Sequence, residues 1–405
     1  MSLSRRDFIA ASALACSWTM PAFLRRAALA APGADQPGAK DTVLVVIQLT
    51  GGNDGLNTVI PFKHPVYLAS RPTLKQPAAD VHKIDDELAL HPALGGFSRL
   101  LEQRKLGIVQ GVGYPDPNRS HFTSLDIWHK AVRNPEQEPL GWIGRTAPRL
   151  GPNRGAIFVG GGETPLALFG ATGYAPSLES LNEYRLRVAA SGDDPDKRAT
   201  VEGFAREDSK DSDLLRLVRS SARETYASAA RVQQAATQYD TPVTYPDTPL
   251  AKHLKLIAQF ISAQIPERVY YTAIDGFDTH AAQAPAHTNL LQSLGDAVAA
   301  FHEDLVHQGQ HERVVTLTFS EFGRRVAENG SLGTDHGTAA PMFLIGERVQ
   351  AGLIGAHPGL DDLESGDLKF HTDFRSVYAT VLQEWLGIAA GDVIPGDFPQ
   401  LKLFA

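Results

Sequence analysis

Cysteine is almost missing from this sequence: 405 residues contain one, Cys16, within the first thirty. The rest of the chain therefore excludes disulfides, iron–sulfur clusters, thiolate-ligated zinc and a cysteine nucleophile. Basic charge is also in short supply. Thirty-eight Lys and Arg stand against 46 Asp and Glu, a formal net charge of −8. That balance argues against a nucleic-acid partner, because phosphate backbones are held by clustered cations. A dinucleotide fingerprint is lacking, since Gly160-Gly161-Gly162 does not have the G-x-G-x-x-G spacing. No internal repeat is visible, and the apolar run near the N-terminus falls short of the ~20 residues of a membrane span. What remains is ordinary globular composition, 43% hydrophobic and 21% charged. A chain of this length buries enough apolar surface to fold without covalent staples.

The N-terminus reads as an export signal. Ser4-Arg5-Arg6-Asp7-Phe8-Ile9 precedes a mildly apolar stretch to Leu24, and Ala28-Leu29-Ala30 is an A-x-A cleavage candidate. Paired arginines, a nearby Phe and weak hydrophobicity resemble a twin-arginine signal. Arg25 and Arg26 fit as well, because late positive charge disfavours the other main export route. The alternatives are a membrane anchor, disfavoured by the Ser, Thr and Pro interruptions, and lipidation at Cys16, whose flanking Ala13-Leu14-Ala15 is a poor match. The expected organisation is a signal at 1–30, a Gly/Pro/Ala-rich flexible leader at 31–40 and one α/β domain at 41–405. The expected location is periplasmic or secreted, with the twin-arginine machinery as the transport partner and no span left in the mature protein.

Six segments read as strands: 43–49, 106–112, 156–159, 269–274, 314–319 and 341–345. Val43-Leu44-Val45-Val46-Ile47-Gln48-Leu49 is short, β-branched and closed by a Gly-rich turn. Helical spacing recurs at Leu250, Leu254, Ile257 and Ile261, again at Leu290–Leu305, and at Val377, Leu382 and Leu386. Alternating strands and helices predict a mostly parallel sheet sandwiched by helices. The strands at 43–49, 106–112, 269–275 and 314–319 are expected side by side. Residues 171–250 break the rhythm and read as a largely helical insertion.

Potential donors follow the strands. Asp54 follows the first, Asp278 and His280 the fourth, and Glu321 the fifth, while Asp335-His336-Gly337 precedes the sixth. A parallel sheet puts the carboxyl ends of its strands on one edge, where ligands bind. Oxygen and nitrogen donors delivered there suit a divalent cation, zinc before manganese or magnesium. Each donor also has a structural alternative: a turn for Asp54, a helix cap for Asp278 and His280, a helical ion pair with Arg324 for Glu321, and a polar turn for Asp335 and His336. Ser120, in Asn118-Arg119-Ser120-His121-Phe122, opens a predicted helix. It is either a simple N-cap or a nucleophile beside helix amides suited to an oxyanion. His121 could orient Ser120, bind metal or pack.

Taken in order, Gly-Gly-Asn-Asp-Gly at 51–55, Arg-Ser-His-Phe at 119–122, Phe-Asp-Thr-His at 277–280, Ser-Glu-Phe-Gly-Arg at 320–324, Asp-His-Gly at 335–337 and Thr-Asp-Phe-Arg at 372–375 resemble the bacterial family called domain of unknown function 1501. The resemblance runs from about residue 40 to the C-terminus. It implies a branch of the alkaline phosphatase and sulfatase superfamily, with two metals at the carboxyl edge of an α/β sheet. By position it implies Asp54, Asp278, His280, Glu321 and His336 as metal ligands and Ser120 as nucleophile. In a rival alignment Asp335 and His336 are the paired ligands and His371 is the late histidine. Phe322 stands where alkaline phosphatase has a metal-binding histidine, which puts the second metal in doubt.

The expected function is an exported, metal-dependent hydrolase of phosphate or sulfate esters acting on a small anionic substrate. Arg119 or Arg324 would hold the anion bidentately. The alternative is a non-catalytic exported binding or assembly protein that keeps the fold and part of the metal site.

Overall fold

The structure, a computed structural model, describes residues 41–152, 154–171, 173–179 and 239–405. The export signal with Cys16, the leader at 31–40 and most of the expected helical insertion lie outside the described residues.

The main sheet is built from β1 (Val43–Thr50), β2 (Leu106–Gly113), β3 (Ala156–Val159), β4 (Ser177–Leu178), β5 (Val269–Asp275), β6 (Val314–Phe319), β7 (Ala340–Ile345) and β8 (Gly352–Ile354). A ninth, two-residue strand, β9 (Thr372–Asp373), adds to β2. The order is β8-β2-β7-β6-β1-β5-β3-β4. All pairings are parallel except the two that β7 makes. The expectation that β2 lies directly beside the central strands is corrected: β7 separates β2 from β6. The reason is visible in the connection. Residues 320–339 contain no helix, and a parallel crossover needs one, so the chain returns antiparallel.

β1 is central and buried on both faces, hence its unbroken apolar run. Its side chains divide with period two. Val43, Val45, Ile47 and Leu49 join the core beneath α1 (Gly95–Glu102), α3 (Pro249–Ser262) and α4 (Gln283–His307). Leu44 and Val46 join the opposite core, with Trp128 of α2 (His121–Lys130) and with Phe374, Val377 and Tyr378 of α5 (Phe374–Thr380). The sheet is therefore covered by helices on both sides. No helix among the described residues is long and apolar enough to cross a membrane.

One edge matters for function. β1, β5 and β6 all end there, β2 leads from it into α2, and reversed β7 begins there. His336, four residues ahead of β7, is thus carried to the same edge as the residues that follow β1, β5 and β6.

Candidate metal centre

The Gly51-Gly52 turn lets these loops meet. Both residues have positive φ, +117° and +78°. A Cβ on Gly51 would lie 2.4 Å from the Asp278 amide nitrogen, and one on Gly52 would lie 2.3 Å from the Phe322 ring. Only glycine permits both the backbone angle and the approach.

Three side chains converge: His121 from the start of α2, Asp278 after β5, and His336 before β7. One ligand atom from each lies within 4.8 Å of the others. His280 extends the group, its Nε2 lying 3.0 Å from Asp278 Oδ1 and 2.9 Å from His336 Nε2. His336 Nε2 is also 3.0 Å from Asp278 Oδ1, and His121 Nε2 is 3.4 Å from Asp278 Oδ2.

The other ring nitrogens decide the chemistry. His121 Nδ1 lies 2.8 Å from Glu321 Oε1, and His336 Nδ1 lies 2.7 Å from the Arg119 carbonyl oxygen. Both partners only accept, so both Nδ1 atoms carry the proton, and a neutral ring then turns its lone pair outward from Nε2. His280 has the same sense, with Nδ1 3.5 Å from Asp335 Oδ1. Three Nε2 lone pairs therefore face one carboxylate. Facing lone pairs repel unless a proton or a cation lies between them. His121 Nε2 is buried with no hydrogen-bond partner, which leaves a nitrogen suited to a metal bond. Imidazoles held through Nδ1 by a carboxylate or carbonyl, together with a carboxylate ligand, are a donor set that zinc accepts.

Charge around the group is asymmetric. Burial pushes the Asp278 carboxyl up, but the Arg324 guanidinium that donates to Oδ1 leads the opposing effects, which outweigh burial and hold it at about 2. The Glu321 hydrogen bond raises the His121 imidazole against the opposing effect of burial.

Several expected ligands stand one layer back. Glu321 is fully buried. Its Oε1 accepts from the Gly51 amide at 2.9 Å and from His121, and its Oε2 from the Ser320 hydroxyl at 3.3 Å. It aims His121 at the cluster. Asp335 likewise backs His280 and accepts from Asn329 Nδ2 at 3.0 Å. Asp54 lies apart from the cluster, in a buried ion pair with Arg71, Nη1 2.5 Å from Oδ2 and Nη2 3.1 Å from Oδ1. Gln283 donates to the same carboxylate. Asp54 also caps a 3₁₀ turn, Gly55–Asn57. Its oxygens are spent on these partners, so the ligand role expected from its position does not fit.

Arg324 is corrected in the same way. Expected as an anion clamp, it is buried. It donates to the carbonyls of Gly52 at 2.7 Å, Thr334 at 2.8 Å and Phe277 at 2.9 Å, to that of Gly51, and to Asp278 Oδ1 at 2.8 Å. It ties three loops together, and its backbone bridges to His336. The Phe322 ring packs against His121 and His336, centroids 4.9 and 4.5 Å apart.

Ser120 sits at the N-cap position of α2, yet its hydroxyl makes no capping bond. It is exposed, and its amide donates to Asn118 Oδ1 at 2.8 Å. Arg119 is half-exposed and paired with buried Asp367. His371, the ligand of the rival alignment, lies over Gly111 of β2, outside the cluster. Arg71 and Gln283 carry no local sequence signal. Asn329 does: Asn-Gly at 329–330 marks a turn.

A protein-family model described as "Protein of unknown function (DUF1501)" matches residues 189–394, half of the chain. The chain belongs to this family. The DUF1501 match spans Asp278, His280, Glu321, Asp335 and His336, while Ser120 and His121 precede it. No curated protein sequence matches the chain. Among solved structures, it is similar to the PsFucS1 sulfatase from Pseudoalteromonas sp., at 11% identity over 89% of this chain and 73% of that one, TM-score 0.39. It is similar to the periplasmic domain of EcEptC from Escherichia coli in complex with Zn, at 9% identity, 76% and 73% coverage, TM-score 0.39. Alkaline phosphatase from the Antarctic bacterium TAB5 matches at 9% identity, 75% and 92% coverage, TM-score 0.33.

Proposed function

We propose that the chain is an exported, metal-dependent hydrolase of phosphate or sulfate esters with Ser120 as nucleophile. The observation that carries this reading is the convergence of His121 Nε2, Asp278 and His336 Nε2 at the carboxyl edge, one residue along from an uncapped serine. His121, Asp278 and His336 would hold the cation, with His280 as a fourth donor. A bound zinc would act there as a Lewis acid and lower the pKa of a coordinated hydroxyl.

The protein's own groups perform the remaining tasks. The Ser120 oxygen would attack phosphorus or sulfur and form an ester to Ser120 as the substrate's ester bond breaks, the serine proton passing to the departing alcohol. Water would then cleave the Ser120 ester, returning the hydroxyl and releasing phosphate or sulfate. The free first-turn amides of α2 and the half-exposed Arg119 face developing negative charge with donors already in place. Glu321, Asp335 and Arg324 fix the ligands without touching substrate. Export follows from Arg5 and Arg6, with the twin-arginine machinery as partner.

A second reading, a non-catalytic binding or assembly protein, is favoured by one observation. Asp54 is committed to Arg71, which leaves a single group of cation ligands among the described residues. Turnover of an aryl phosphate and an aryl sulfate by zinc-loaded protein separates the two. Hydrolysis that Ser120→Ala abolishes supports the enzyme; metal binding with no turnover of either ester supports the binding protein.

A further inference from the structure

Few large apolar side chains are exposed among the described residues: Leu68, Phe122, Val306 and Leu332. Two of these belong to segments that build the metal centre, and they are the two most exposed. Phe122, 87% exposed, directly follows His121. Leu332, 52% exposed, lies four residues before His336.

Both are presented by rigid structure. α2 is fastened by Ser124, whose hydroxyl donates to the Glu321 carbonyl oxygen at 2.6 Å and bonds the Tyr114 hydroxyl at 2.8 Å. The rest of that helix obeys its amphipathic pattern, with Ile127 and Trp128 buried. Phe122 departs from the pattern at the turn that carries Ser120 and His121. Leu332 sits in a tight turn wound around Asn329, whose Oδ1 accepts from the amides of Ser331 at 2.9 Å and Gly333 at 3.1 Å. Asn329 Nδ2 donates to the His280 carbonyl oxygen at 3.0 Å and to Asp335. Leu332 itself holds φ at +58°, a left-handed angle that a leucine rarely adopts. Its carbonyl oxygen accepts from the Gln283 amide at 2.9 Å. Thus Phe122 is attached on the His121 side and Leu332 on the His280 side, with Asp278 and His336 bridging the two histidines.

We propose that Phe122 and Leu332 are specificity residues that hold the apolar part of an amphiphilic substrate, the aryl or alkyl group of an anionic ester. The inference rests on the ester-hydrolase reading and gives it a substrate class. On that reading, a centre that holds an anion, with an exposed apolar side chain on each of two segments that build it, complements a molecule with a charged head and a hydrophobic body. A sugar or a short polar alcohol would leave both side chains in water.

Binding is measured separately from turnover. Zinc-loaded wild type, Phe122→Ala, Phe122→Tyr and Leu332→Ser are titrated calorimetrically with phenylphosphonate and methylphosphonate, and with benzenesulfonate and methanesulfonate. Wild type is expected to hold the aryl member of at least one pair roughly tenfold more tightly, on the order of one good aromatic contact. Phe122→Ala should remove most of that preference while leaving the methyl ligand within about twofold. Phe122→Tyr should keep it, and Leu332→Ser should reduce it. Equal affinity for both members of each pair, equal losses for both in Phe122→Ala, or binding of neither overturns the proposal. So does a change of oligomeric state in Phe122→Ala with an unchanged ligand ratio, which would make Phe122 a contact between copies. Aryl preference without hydrolysis of any ester would sink the hydrolase and leave this rim standing; hydrolysis without preference would do the reverse.

Discussion

His121 illustrates how one side chain acquires a role from its neighbours. Its Nδ1 is claimed by Glu321, so its Nε2 is left buried, unpartnered and directed at Asp278. Removing the residue that aims the ring should therefore weaken metal binding without abolishing it. Glu321→Gln is expected to lower zinc affinity roughly 10–100-fold, the usual cost of losing an outer partner. A competition titration with a chromogenic chelator measures this, and unchanged affinity would count against the assigned tautomer. Asp54 makes the opposite case. Its burial would raise the carboxyl, but Arg71 outweighs that and holds it at about 2, below the ordinary 3.8. A depressed folded value means the pair's contribution is complete above the ordinary range and is lost as pH falls towards 2. Asp54→Asn leaves Arg71 buried and unpaired, so unfolding free energy should drop by about 3–5 kcal/mol while zinc stoichiometry is retained. Denaturant melts with elemental analysis check both, and lost zinc with unchanged stability would return Asp54 to the ligand set. The donor types were legible in the sequence because Asp and His stand beside strand ends. Which of them ligate was not, because Arg71 and Gln283 reach Asp54 from elements that no local pattern links to it.

At the scale of elements, two glycines govern how closely the loops approach. Gly52→Ala would push a methyl into the Phe322 ring, which packs on His121 and His336, and would do so at φ +78°. The variant should lose about 1–3 kcal/mol and bind zinc more weakly. A urea melt within about 0.5 kcal/mol of wild type would show that this turn yields. The six longest strands of the sheet were readable, because short β-branched runs between Gly-rich turns leave little else to form, whereas the two- and three-residue β4, β8 and β9 were not. Their order was less so. β7 enters between β2 and β6 because 320–339 lacks a crossover helix, a signal present in the sequence but overridden by the general α/β expectation. That reversal is also what brings His336 to the working edge.

Across the whole molecule, buried histidines set the response to acid. Burial is the leading cause that holds His91 and His129 at about 3 and His287 and His302 at about 4, below the ordinary 6.5. Unfolded chains take up these protons first, so stability should be full above about pH 6.5 and fall steadily towards pH 4 and below. Melting temperatures across that range test the expectation, and a flat profile from pH 7 to 4 would contradict it. Export concerns the segment before residue 41. Arg5→Lys with Arg6→Lys should leave uncleaved precursor in the cytoplasm, and normal export of that variant would remove the twin-arginine reading. The central claim is a cation held at the carboxyl edge by His121, Asp278 and His336, and elemental analysis of the purified protein tests it most directly. The expected result is a divalent metal, zinc foremost, near one per chain in wild type and strongly reduced in His336→Ala. Protein purified without chelators that carries no metal and takes up none, or a His336→Ala variant that keeps its full complement, would contradict the account.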